Sequence, residues 1–153
     1  MKKFAWRLQR VLDVRIRQEQ AKKAELLAVT EKLTQRRSEL LTQRRILAEL
    51  IEELHAEDAA RRLSRQALFL RASQTNNALI RRLETEIEQL AVEKQLKIAE
   101  VVKLRRFREG LEKLREEARI EFVGEQERLE QKEMDERTTM RFAREILGGR
   151  ASP

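Results

Sequence analysis

Leucine recurs every seven residues at Leu26, Leu33, Leu40, Leu47 and Leu54, with Leu12 earlier in the same phase. An apolar row at that interval stays on one side of a helix and forms the seam of a coiled coil. The second seam position looks weak. Ile16 and Ile51 fill it well, but Lys23, Thr30, Arg37 and Arg44 fall between them. Long basic stems in such places lie over apolar flanks while their charged heads stay in water. The pattern predicts a first helix from about Ala5 to about Glu57, roughly 80 Å long at 1.5 Å per residue.

A second, better-formed seam runs through Ile80, Leu83, Ile87, Leu90, Val101, Leu104, Leu111, Ala118, Phe122 and Leu129. It predicts a second helix from about Arg65 to about Ile146. Lys94, Lys97, Arg108, Arg115 and Glu125 stand in phase with it and read as register control or as stems lying over the seam. The acidic stretch Gly110 to Glu136 carries Leu111, Leu114, Ala118, Phe122 and Leu129, and the N-terminal FAWRLQRVLDVRIRQEQ is its expected partner. The pattern breaks between Ala56 and Gln66, which places the reversal at a tip of about residues 58–64, with Ser64 as candidate N-cap. The polar run Ser73 to Asn77 is a second candidate. Leu68, Phe69 and Leu70 are consecutive and cannot all face one seam, so at least one faces water or a partner. Gly148-Gly149 suits a helix end, leaving a frayed tail over 147–153. The expected fold is all-α: one domain over 1–153, a long antiparallel two-helix coiled coil.

Composition agrees. Four Gly and one Pro in 153 residues leave few places to turn, and 40% charged with 4% aromatic residues cannot bury a thick core. The absence of Cys excludes disulfides and thiolate metal sites. The net charge of +7 is uneven: 1–108 carry 25 basic and 15 acidic side chains, 109–136 are net −6, and 137–153 are net +3. No run of about 18 apolar residues could span a membrane. Arg7, Gln9, Arg10 and Asp13 interrupt any signal-peptide core. A cytoplasmic protein is expected.

Catalysis finds little support. His55 is the single histidine and has no Cys or second His to work with. Glu52-Glu53 and Glu116-Glu117 sit among Lys and Arg at helical spacing and read as surface pairs. There is no glycine-rich phosphate loop, so no cofactor is expected. Five basic doublets (Arg36-Arg37, Arg44-Arg45, Arg61-Arg62, Arg81-Arg82 and Arg105-Arg106) keep nucleic-acid binding as the alternative. Interleaved Glu and the lack of stacking aromatics favour a solvated face instead. Phe4, Trp6 and Leu8 beside Lys2, Lys3, Arg7 and Arg10 have the residue types for a membrane surface. Packing of Phe4, Leu8, Val11 and Leu12 on the second helix explains most of them, and Trp6 lies off that face as a candidate partner anchor.

The opening Phe4-Ala5-Trp6-Arg7-Leu8-Gln9-Arg10-Val11-Leu12-Asp13-Val14-Arg15 resembles the start of the flagellar export protein FliJ family. Arg108-Glu109-Gly110-Leu111-Glu112-Lys113-Leu114-Arg115 and Glu130-Gln131-Lys132-Glu133-Met134-Asp135-Glu136 are similar to that family's C-terminal signature. The resemblance implies an antiparallel two-helix stalk like that of rotary ATPases, lying in the cytoplasm against the inner membrane at the flagellar base. It implies three partners: the hexameric export ATPase, the cytoplasmic domain of the export gate, and export chaperones. The stalk of virulence-type secretion systems is a close relative. Carried onto this chain, the implied ATPase contacts are Phe4, Trp6, Leu8, Leu12, Leu129, Gln131, Lys132, Met134, Asp135 and Glu136. The implied gate or chaperone contacts are Arg61, Arg62, Leu68, Phe69 and Leu70 at the tip. No nucleic acid is expected among the partners.

Overall fold

The structure is a computed structural model that describes residues 2–56 and 58–149, the side chains of Arg62 and Ser64 excepted. Among the described residues there are two helices and no strand: α1, Gln9–Ala56 (48 residues), and α2, Ala59–Gly149 (91 residues). They pack against each other as a helical hairpin. Their direction is plain from the cross-helix pairs, where one residue number falls as the other rises: Lys22 with Glu100, Arg36 with Glu86, Arg44 with Glu84. Contacts divide the chain into two compact units, one made of residues 17–105 and the other of residues 1–16 with 106–153.

Helix boundaries differ from the pattern's at the start of α1 and at the start of α2. The chain is not helical from Ala5. It forms a turn in which the Gln9 N–H donates to the Trp6 carbonyl at 3.2 Å, and α1 begins there. The reversal is much tighter than expected, lying between Ala56 and Ala59, so 59–64 are helix rather than tip. Asp58 stands immediately before α2, where a short acidic side chain is a favoured cap. The candidate cap Ser64 lies inside α2 and its side chain is outside the described residues; the end of α1 at Glu57 and the tail 150–153 are outside them too. Ser73 to Asn77, the second candidate for the turn, is also inside α2. No described residue adopts a positive φ. No glycine or proline stands between Ala56 and Ala59 to mark the reversal in the sequence.

In the 17–105 unit the Leu row is as expected: Leu33 is 2% exposed, Leu40 is buried, and Leu26, Leu47 and Leu54 are half-buried. The same row passes through Glu19, a buried carboxylate held by the Lys23 ammonium at 3.0 Å. The second row lies one residue earlier than the apolar pattern suggested, at Lys22, Val29, Arg36, Gln43 and Leu50, whereas Ile51, Arg37 and Arg44 are exposed. The α2 row holds as read, through Ile80, Leu83, Ile87, Leu90, Lys94, Lys97, Val101 and Leu104. Leu83, 4% exposed, is the most deeply buried of them. Burying a Leu side chain this fully contributes about 2 kcal/mol.

Several of the unit's polar seam residues are paired. Lys22 contacts Glu25 at 3.1 Å and Glu100 at 3.2 Å, and Lys97 closes the group on Glu25 at 2.7 Å. The bond to Lys97, then that to Lys22, holds the Glu25 carboxyl below its ordinary pKa. The bonds to Glu25 and Glu100 raise that of Lys22. Arg36 bonds Glu39 at 2.9 Å and Glu86 at 3.1 Å. Asn76 is 8% exposed; its Nδ2 donates to the Gln43 carbonyl at 3.2 Å, and its Oδ1 has no protein partner among the described residues.

Candidate partner-binding surfaces

In the unit made of 1–16 and 106–153, α1 meets α2 around two buried leucines, Leu12 at 2% exposed and Leu111. The Phe4 ring tilts against Phe122 with centroids 5.6 Å apart, and the Arg15 guanidinium lies 4.4 Å over the Phe107 ring. Such contacts add about 1 kcal/mol each to the area they cover. Trp6 and Leu8 are half-buried. Leu12 belongs to the seam and presents nothing to a partner, which removes it from the contact set. Its heptad phase with the Leu row was the sign of that role.

Beyond Gln126 the covering ends. From Glu127 to Gly149 every residue is exposed, and α2 continues as a single solvated helix. Leu129 is 52% and Met134 68% exposed, and Gln131, Lys132, Asp135 and Glu136 stand around them in open solvent. Thr138 Oγ1 donates back to the Met134 carbonyl at 2.8 Å, and Thr139 Oγ1 to that of Asp135 at 2.7 Å, so these hydroxyls stay with their own helix. The two parts of the implied ATPase surface are thus separate. Phe4 is at Phe122, and Leu129 is two turns further along α2, about 10 Å at 1.5 Å per residue. Leu129 and Leu114, both placed in the seam by their spacing, are half exposed instead. The pattern reading passed over a further apolar group: Met140, Phe142, Ile146 and Leu147 are all exposed. Their close spacing after a charged stretch was the available signal.

Near the reversal, Phe69 turns inward and Leu68 and Leu70 face out. Leu50, Leu54, Phe69 and Ala72 line an open groove rimmed by Glu53 and Arg65, and Leu63 stands exposed one turn before Leu68. Arg61 is exposed. Arg62, also placed in this surface by the sequence, has a side chain outside the described residues. Several of the arginine doublets are occupied: Arg36, Arg44 and Arg82 each pair with a glutamate. A continuous basic stripe for phosphates is therefore not what these residues form.

The fold and its surfaces define a class: a cysteine-free antiparallel helical hairpin with ion pairs across its seam and with exposed apolar side chains near the reversal, on the uncovered length of α2 and along the outer faces of both helices. A family model described as "Flagellar FliJ protein" matches residues 3–146. The chain belongs to that family, and is a component of flagellar type III export. No curated protein and no solved structure matches it. Among the described residues no helix is long and apolar enough to cross a membrane.

Proposed function

We propose that the chain is a non-enzymatic stalk of flagellar export that engages the hexameric export ATPase and couples it to the gate and the export chaperones. The observation that supports this is the free length of α2. A helix of 91 residues with its last turns uncovered and its Leu129, Met134 and surrounding charges exposed offers a surface that no other described residue covers. Phe4, Trp6 and Leu8 frame the start of that surface, and the mixed charges at Gln131, Lys132, Asp135 and Glu136 suit contacts that exchange within a ring, because exposed ion pairs are weak. The groove and outward leucines near the reversal are the contact for the gate's cytoplasmic domain or for chaperones. The site of action is the cytoplasmic face of the inner membrane at the flagellar base, and the chaperone role and the effect on motility and chemotaxis follow from it.

The test is ATP hydrolysis by the cognate export ATPase with and without the chain, together with the ATPase's oligomeric mass. Faster turnover with hexamer formation is expected. A folded sample that changes neither rate nor mass contradicts the stalk reading. The nucleic-acid alternative predicts instead DNA affinity that falls steeply with salt, with the ATPase unaffected.

A further inference from the structure

The terminal stretch of α2 is built to match itself. On a helix advancing about 100° per residue, Leu129, Met140, Ala143 and Leu147 fall within roughly 60° of one another, a stripe with Glu133 and Glu136 in its gap. All six are exposed. Charge reverses along the same length: 125–136 hold six acidic and two basic side chains, while 137–149 hold three arginines and one glutamate. Two such helices side by side in parallel place like charges together. Run antiparallel, the acidic half of one lies on the basic half of the other.

The geometry points to a second copy of this chain as the occupant of this face, docked antiparallel through residues 127–149. The pairing is two-fold symmetric and isologous. Leu129 faces Leu147 of the second copy, Glu133 faces Ala143, and Glu136 faces Met140. In that register Glu130 and Glu133 share a flank with Arg144 of the second copy, and symmetry makes each contact twice. The leucines at either end supply the apolar anchors. The glutamates in the stripe keep the pairing weaker and more reversible than a continuous leucine seam. An anionic lipid surface would attract the arginine half but repel the acidic half, so it suits only part of the stretch. The pairing covers Leu129, and so would compete with ATPase engagement. That consequence rests on the function proposed above; the pairing itself does not.

Light scattering on the full chain reads the mass directly. It should rise from 18.2 kDa toward twice that value with increasing concentration, and fall back in high salt. Glu133→Arg alone and Arg144→Glu alone should each remain at single-chain mass with unchanged helicity. An equimolar mixture of the two should recover the doubled mass, because the swapped charges complement across the pair. Direction is read by oxidation, since the chain has no cysteine of its own. A mixture of Leu129→Cys and Leu147→Cys should cross-link, and neither should do so alone. A single-chain mass at every concentration overturns the inference, as does self-cross-linking of Leu147→Cys. So does binding to phosphatidylserine vesicles while the mass stays single.

Discussion

Residues 17–105 and residues 127–149 use the same alphabet of Leu, Arg, Lys and Glu, yet one stretch is tied into a seam and the other is bare. In the first, Leu33, Leu40 and Leu83 are buried and Lys22 and Arg36 meet glutamates on the opposite helix. In the second, Leu129, Met134, Met140, Phe142, Ile146 and Leu147 are all at least half exposed. The difference teaches that heptad spacing specifies a face and not its occupant. Helicity alone does not separate them, since both are continuous α-helix. What separates them is covering, and covering converts the same leucine from a stability determinant into a candidate contact.

The sharpest way to break this contrast is to charge the covered seam. Leu83→Asp with Ile87→Asp should destabilise the hairpin by about 4 kcal/mol or more, because an unpaired charge is forced into an apolar seam. Loss of helical circular dichroism and of the melting transition checks it, and an unchanged melt would mean the seam is misplaced. Asn76→Leu acts in the other direction. It removes a buried amide oxygen without a protein partner among the described residues and adds apolar contact, which together outweigh the lost Nδ2 bond to the Gln43 carbonyl, so stability should rise by less than about 1 kcal/mol in denaturant melts. Gly110→Ala should also stabilise by about 1 kcal/mol, from helix propensity, since a Cβ there meets nothing within 4 Å.

The pH response of the paired seam is smaller. Glu25 is held below its ordinary 4.5 by Lys97 and Lys22, so its contribution is present above that value and is lost as pH falls through the lowered one. Lys22 is raised above 10.5, so its contribution is present below that value and disappears as pH rises past the raised one. The acid limb of the melting profile should be shallower for Glu25→Gln than for the parent chain. High salt should reduce the difference. Smallest for stability, Met134→Ala with Asp135→Ala should change the melt by no more than about 0.5 kcal/mol, while weakening stimulation of the export ATPase. A fall in helicity would make these residues structural.

Fold class, helix number and direction were legible because Leu26 to Leu54 and Ile80 to Leu104 repeat cleanly and almost nothing in the chain can turn. The second row of α1 was not, because Lys22, Arg36 and Gln43 occupy it. The stems of Lys22 and Arg36 fill the seam while their heads find Glu25, Glu100, Glu39 and Glu86, and no hydropathy pattern marks a lysine as inward-facing. Apolar Ile51 drew the reading one position too far. The start of α2 was misjudged for a similar reason: no Gly or Pro marks it, and Asp58, a residue of favoured capping type, stands immediately before it where the pattern pointed to Ser64. Among the candidate contacts, the outward Leu68 and Leu70 followed from the impossibility of burying three consecutive apolar residues. The division of Leu12 from Leu129, one buried and one bare, did not follow from spacing, since both are in phase with a seam. It depends on how far the partner helix reaches.

Peroxide footprinting tests the central claim most directly, because Met134 and Met140 are both exposed thioethers on the uncovered length. Their oxidation rates are followed by mass spectrometry at high dilution, with and without the export ATPase. The account predicts that both are slowed several-fold when the ATPase is bound, with the hairpin's helicity unchanged. Oxidation at the same rate in a complex with stimulated ATP hydrolysis would show that the bare end of α2 is not where the ATPase is engaged.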